Sequence, residues 1–333
     1  MNYFDRVYGC LAGIALGDAL GMPTEMLTQE QISSQYGWVD DLVRAPEWHP
    51  HYAMKVGQVT DDTGQALAVV RAYDEKGCIT ARSMAHELIV WLESLNDAEK
   101  LCVGPSTQKA IEALQKGADP HTTGRSGTTN GASMRAPIVG LMNPGNIDNI
   151  MLEIVETCLP THFTHPAISG AAAVACAVGT AVCENSTLEG ILQAAKDGAR
   201  AGALKGEWMW ATGLESRITL AETIVKENLY QPSKACRELY DYVGVDMLVA
   251  ESVATAFGLV LLAEGDPMKA VTMAANIGGD TDTIGVIAGA VCGAYMGITA
   301  VNTVLLEKIE AVNHLSLAQV AEGITALAEI KGK

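Results

Sequence analysis

Eighteen consecutive residues, Ile284 to Val301, carry no charged side chain, and they follow directly on Asn276-Ile277-Gly278-Gly279-Asp280-Thr281-Asp282-Thr283. An apolar run of that length must be buried as a helix, either in a protein core or in a bilayer. Its composition is rich in Gly and Ala, it lacks basic flanks, and it is entered through two aspartates, all of which favour a buried central helix. Ala167 to Cys183 has the same character. The junction is chemically unusual. Two glycines permit backbone angles closed to other residues and a close approach to the main chain. Two aspartates and two threonines then supply oxygens where a helix begins and unpaired N–H groups suit carboxylates. An N-cap at Asp282 or Thr283 would account for one acid. It leaves the second acid and the glycine pair unexplained.

The rest of the chain is compatible with that helix as its centre. Hydrophobic residues make up 49% of the sequence but aromatics only 5%, with 33 Gly, so small side chains let helices pack closely. Alternating β-branched runs are scarce, which argues against sheets. Helical periodicity is read at 3–21, 60–76 (ended by Gly77), 80–95, 105–116, 147–158, 167–183, 186–204, 215–228, 246–264, 267–275, 281–298, 303–312 and 316–330. Residues 33–58, with their Trp, Pro and His, have no period and read as a long surface loop. No linker or low-complexity tract interrupts residues 1–333, and a single all-α domain is the simplest account.

Lys and Arg number 22 against 39 Asp and Glu, a net charge of −17. That field disfavours nucleic acid and anionic membranes as partners. The eight cysteines are scattered without a CxxC pair, and the N-terminus shows no signal-peptide pattern. Reduced, buried thiols and a cytoplasmic location are expected.

An oxygen-rich helix start needs a partner, and Thr60-Asp61-Asp62-Thr63 is the candidate. Neighbouring helical residues point about 100° apart, so Asp61 and Asp62 converge only where the chain is still turning into the helix. Two such N-termini facing each other would gather four carboxylates, which repel unless cations lie between them. Oxygen donors without His or Cys select hard ions, Mg²⁺ or Mn²⁺, and this donor number suits two ions. The alternative on spacing alone is two separate capping motifs that never meet.

Three motifs, Gly17-Asp18-Ala19-Leu20-Gly21-x-Pro23-x-Glu25, Thr60-Asp61-Asp62-Thr63 and Asn276-x-Gly278-Gly279-Asp280-x-Asp282-Thr283, occur in the order found in the ADP-ribosylglycohydrolase superfamily. Gly127-x-x-Asn130-Gly131-Ala132-x-Met134-Arg135 and Thr161-His162 also resemble its substrate-loop and histidine motifs. The resemblance implies an all-α orthogonal bundle with a dinuclear Mg²⁺ or Mn²⁺ centre held by Thr60, Asp61, Asp62, Asp280, Asp282 and Thr283. It implies hydrolysis of the bond from C1″ of ADP-ribose to an acceptor, with Glu25, Asp61 and Asp282 in catalytic roles. Glu25 would lie by the scissile ribose or gate the site. Asp18 would orient a neighbour. Gly127, Thr129, Asn130, Gly131, Ser133, Met134 and His162 would bind substrate, an ADP-ribosylated protein or a small ribosylated molecule. Arg135 has two readings, phosphate ligand or internal structural partner. One departure is Val59, where many members have an aromatic residue. A ring to stack on adenine is therefore sought among Tyr36, Trp38, Trp48 and Tyr52.

The competing readings are a dimetal hydrolase of a nucleoside-like ribosyl glycoside, a non-catalytic binder on the same fold, and a two-metal phosphohydrolase.

Overall fold

A computed structural model describes residues Met1–Gly332. Among them the chain is helical throughout, with no β-strand and only two isolated bridges, Thr129 to Leu248 and Thr164 to Glu207. The core is built on the Tyr3–Gly21 and Thr281–Met296 helices, which lie against each other along their length. Glycines every fourth residue make that possible. A Cβ on Gly13 would lie 2.0 Å from the Gly289 carbonyl oxygen, one on Gly17 2.2 Å from that of Gly285, and one on Gly9 2.4 Å from that of Gly293. The two backbones are in contact, so the apolar run from Ile284 to Met296, where the helix ends, forms a helix pair with no room for side chains at the glycine positions. None of the described helices is long and apolar enough to cross a membrane.

The ladder ends at Gly21, whose Cβ would meet Asp282 Cα at 2.5 Å. The same packing that makes the core therefore sets the acidic junction beside the end of the first helix. His165–Ala181 is the third buried helix. It packs on Leu188–Gly202 through Gly198 and Gly202, and on Pro137–Met142 through Gly140. Shorter helices shield this centre, among them Ala81–Ser94, Pro105–Gln115, Ile147–Cys158, Leu214–Glu227, Val249–Leu262 and Pro267–Ala275. Several begin on side-chain caps that the sequence supplies, such as the Thr80–Ser83 capping box and Asp266 accepting from Lys269 N.

Three expectations need correction. The helix after Thr60 spans Asp61–Ala72 and stops short of Lys76; Gly77 (φ +73°) instead closes a turn in which the Asp74 carboxylate accepts from Lys76 N and Cys78 N. Residues 33–58 are not a plain surface loop. The Gln29–Tyr36 helix enters the stretch, a 3₁₀ turn occupies Pro50–Ala53, and Val39, Ala45, His49, His51 and Met54 are buried. Short helices at Asp97–Lys100, Pro137–Met142 and Pro232–Glu238 have too few turns to show a period.

Candidate metal centre and active site

The two acidic motifs face each other across a cleft. The Asp61–Ala72 helix begins at Thr60, whose hydroxyl accepts from Asp62 N at 3.3 Å. Asp18, which is fully buried, accepts from Thr60 N at 2.9 Å, Thr63 N at 3.0 Å and the Thr63 hydroxyl at 2.5 Å. Asp18 therefore turns the start of this helix toward the cleft and does not face it, which leaves Asp61 and Asp62 free of capping duty.

Opposite, the Thr281–Met296 helix begins at Asp280, which makes no capping bond. Asp282 accepts only from the N–H of the next residue, Thr283, at 3.0 Å. Capping thus explains neither acid. Gly278 and Gly279 have φ of +87° and +74°, and Cβ atoms there would strike Leu27 O and Val245 O at 2.9 and 2.4 Å. The pair is needed for this left-handed approach. It lets Asp280 N reach Val245 O and Gly279 N reach Leu27 O, which fixes the helix start.

Between the two N-termini the Thr283 hydroxyl donates to Asp62 at 3.2 Å, and Asn130 Nδ2 donates to Asp280. Asp61 accepts from Gln65 Nε2 at 2.8 Å. Burial pushes the Asp61 carboxyl up to about 7, with Asp18 and Glu25 adding repulsion. Burial and Glu25 push Asp280 up to about 6, against the hydrogen bond from Asn130. Asp62 and Asp282 are held well above the usual carboxylate range by burial and then by the surrounding acids. The cluster is a set of hard oxygen donors whose negative charges outnumber the cationic groups at its edge, His51 and Arg135, which is the condition that divalent cations satisfy. The residues present fit such ions.

Glu25 leans over this cluster from the turn after the first helix. Its carboxylate pairs with His51 Nε2, and Glu25, His51 and Asp282 each bring a ligand atom within 4.8 Å of the others. His51 and Cys102, which bonds to the other ring nitrogen at 3.0 Å, were missed in the sequence. The signal was the His49-Pro50-His51 turn inside an aperiodic stretch.

The residues expected to bind substrate divide. Thr129, Asn130, Gly131 and Met134 line the space above the acids, together with Gly104, Pro105, Thr107 and Met247. That space is about 50 Å³, enough for ions and water with a reacting edge of a sugar. Gly127, Ser133 and His162 do not line it. Gly127 is packed on Thr161 O, Ser133 is fully buried against Gly170, and His162 is 0% exposed behind Gly131. His162 Nδ1 and Nε2 are bonded to the hydroxyls of Thr161 and Thr129 at 2.8 and 3.1 Å. Burial lowers its pKa to about 3, and Arg135 adds to the effect. Arg135 is internal as well, 1% exposed and donating to Gln65 Oε1, Thr157 O and the Thr161 hydroxyl.

The four candidate stacking rings lie elsewhere. Tyr36 donates to Arg44 O, Tyr52 lies under Arg44, and Trp48 is 65% exposed beside His49. Trp38 lines a separate groove with Ile32 and Cys236. Aromatic surface is supplied instead by Trp91, which lines a cavity of about 410 Å³ with Thr60 and Asp61, and by the 208–212 loop. A chamber of about 490 Å³ there is lined by Thr128, His165, Trp210, Arg217, Leu248 and Glu251. Its wall toward the acids is the Thr129–Leu248 bridge.

A family model for ADP-ribosylglycohydrolase matches residues 1–332. An uncharacterized Escherichia coli (strain K12) protein, YegU, is 32% identical over 98% of this chain and 97% of its own length. The ADP-ribosyl-[dinitrogen reductase] glycohydrolase of Rhodospirillum rubrum is 25% identical over 97% of both chains. Human ADP-ribosylhydrolase ARH3 is 26% identical over 89% of this chain and 86% of its own. The fold is that of a solved ADP-ribosylglycohydrolase-related protein complex, with a TM-score of 0.68 over 99% of each chain at 22% identity. With the match running from end to end, this all-α chain belongs to the ADP-ribosylglycohydrolase family.

Proposed function

We propose that this chain, acting as a single domain, is a metal-dependent hydrolase that cleaves the C1″ glycosidic bond of an ADP-ribosylated protein or small molecule and releases ADP-ribose. The observation that carries the reading is the crowding of four carboxylates between two helix N-termini. Thr60, Asp61, Asp62, Asp280, Asp282 and Thr283 would hold two Mg²⁺ or Mn²⁺ ions. Once bound, such ions supply Lewis-acid polarisation of substrate hydroxyls and of water.

The chain's own residues do the rest. Asp18 and Asn130 orient the acids, Asp18 through the backbone of Thr60 and Thr63, Asn130 through its bond to Asp280. Asp61 and Asp282 are catalytic through the ions they would hold and through their charge, which favours an oxocarbenium-like transition state. Glu25 keeps one carboxylate oxygen on His51, and the other serves to take a proton from the attacking water. Thr129, Asn130, Gly131 and Met134 form the floor for the ribose and diphosphate, while Gly127, Ser133 and His162 support that floor from behind. The chamber beyond Thr129 and Leu248 has room for the distal nucleoside, with Trp210 as its stacking surface.

The test is product release from arginine- and serine-linked ADP-ribose, O-acetyl-ADP-ribose and common nucleosides, with Mn²⁺ and with chelator. Chelator-sensitive release of ADP-ribose is expected. Cleavage of nucleosides alone would overturn the substrate class, and silence in a metal-loaded protein would overturn the activity.

A further inference from the structure

Glu25 stands where charge repulsion should expel it. Asp61, Asp62 and Asp282 all act electrostatically with it, and a free glutamate in that field would swing out to water. Instead its side chain is 12% exposed. The turn at residues 49–53 accounts for this. Its outer residues, Trp48 and Tyr52, face solvent, while His49 and His51 are buried and point inward. His49 Nδ1 accepts from His51 N at 3.1 Å, so Nε2 carries the proton and donates to the Glu25 carbonyl oxygen at 2.6 Å. His51 Nε2 holds the Glu25 carboxylate, and its Nδ1 is anchored at 3.0 Å on Cys102 Sγ. The backbone on the far side is held too. Met26 sits at φ +61°, unusual for a residue with a Cβ, and its N–H bonds to Gly279 O at 2.7 Å. A strained residue beside a glutamate held at both its backbone carbonyl and one carboxylate oxygen is over-determined in the way functional positions are.

We infer that His51, braced by Cys102, is a positioning residue that holds the Glu25 carboxylate over the acid cluster, an assignment that rests on the catalytic role proposed for Glu25. Glu25 is then a fixed group and not a gate. His51 acts through it and does not touch substrate. Cys102 keeps the imidazole plane from rotating, and His49 performs the equivalent service for the main chain.

Steady-state kinetics on an ADP-ribosylated substrate test this with Glu25→Gln, His51→Leu, His51→Gln, Cys102→Ala and the double variant His51→Leu/Glu25→Gln, alongside Mn²⁺ affinity and Tm. Loss of Glu25 should lower kcat about 10²- to 10⁴-fold, as for a general acid–base group. His51→Leu should lower kcat about 10- to 100-fold, the scale of a misplaced reacting group, with KM and Mn²⁺ affinity within about twofold. His51→Gln should recover part of the loss, because its amide N–H replaces Nε2–H. The double variant should be no slower than Glu25→Gln alone, since both remove the same function. Full turnover by Glu25→Gln would overturn the role of Glu25 itself. Impaired Glu25→Gln with unimpaired His51→Leu would overturn the positioning role and leave the catalytic reading standing. Losses that add in the double variant, or that track Mn²⁺ affinity and Tm, would mean that His51 only braces the loop, and would also overturn it. Should His51→Leu fail to fold, Cys102→Ala frees the far side of the same ring. It should lower kcat by about threefold or more at unchanged KM, and wild-type kinetics for it would count against the proposal.

Discussion

Two buried polar regions lie back to back under the cleft, and they are joined by one side chain. Gln65 donates to Asp61 with its amide nitrogen and accepts from Arg135 with its oxygen at 2.6 Å. On one side is the acid cluster, where four carboxylates share few donors and the nearest cationic groups stand at its edge, His51 on Glu25 and Arg135 behind Gln65. On the other is the Arg135 network, where the guanidinium, Thr157 O, Thr161, His162 and Thr129 form a chain of hydrogen bonds. The Arg135 side is hidden from water, while the acids line the cleft and Asp61 is half-buried. The difference is how far the protein satisfies them: the Arg135 guanidinium donates to three protein acceptors and leaves only its Nε unpartnered, whereas the four carboxylates face one another. A buried charge that the chain itself solvates is architecture, and its loss is felt as instability. A buried charge left incomplete is held against its own repulsion by the rest of the fold, and such a site is completed by a ligand.

The sharpest test of that contrast is Asp282→Asn, with Asp62→Asn beside it. Each should lower turnover by at least about 10³-fold and abolish tight Mn²⁺ binding, the scale of losing a metal's contribution to the transition state. Each should leave the Tm of the metal-free protein unchanged or higher, because one of several repelling carboxylates is gone. A large fall in metal-free Tm would mean that the acids are structural, and the distinction between the two regions would break.

Arg135→Met is the opposite experiment. It should cost about 3 kcal/mol of stability, the scale for removing a buried charged group and stranding its partners, read as a lower urea midpoint at unchanged slope. The folded fraction should keep Mn²⁺ affinity. Loss of ADP-ribose affinity without loss of stability would restore the phosphate-ligand reading of this residue.

Much of this was legible in the chain. The all-α fold follows from helical periodicity and from small apolar residues in place of aromatics. The two acidic motifs were readable as helix starts, because Thr-Asp-Asp-Thr and Gly-Gly-Asp-Thr-Asp-Thr carry more oxygen than a cap requires. The glycine ladder was also present in the text, at 9, 13, 17 and 21 and again at 285, 289 and 293, but its meaning depends on two segments more than 260 residues apart lying together. Burial was not legible. Thr161-His162 resembles a substrate motif, yet whether that histidine faces the cleft or lies behind Gly131 is decided by how Gly127 and Gly124 pack on the backbone of 158–162. The His49–His51 turn was hidden for a related reason. Its inward pair interrupts exposed residues with no period, and its function comes from Glu25 and Cys102, 26 and 51 residues away from His51.

His162 gives the smallest effect and the finest test of the boundary between the regions. Its imidazole is buried, and burial with the nearby Arg135 charge lowers its pKa to about 3, against about 6.5 in an unfolded chain. Between those values the unfolded state binds a proton that the folded state refuses. This residue's stabilising contribution is therefore fully present above pH ~6.5 and is lost as pH falls toward ~3. The raised carboxyls of the acid cluster work in the other direction, since they gain protons readily in the folded state as pH falls. The informative quantity is thus the difference between His162→Gln and wild type, both in chelator, rather than either curve alone. At pH 7.5 the variant should be about 1 kcal/mol less stable, the scale of one imperfectly replaced hydrogen bond. By pH 4.5 that deficit should shrink or reverse, because glutamine has no proton to refuse. Parallel curves for the two proteins would mean that His162 titrates as an exposed histidine does. That would place it on the cleft side of Gly131 with the residues proposed to bind substrate.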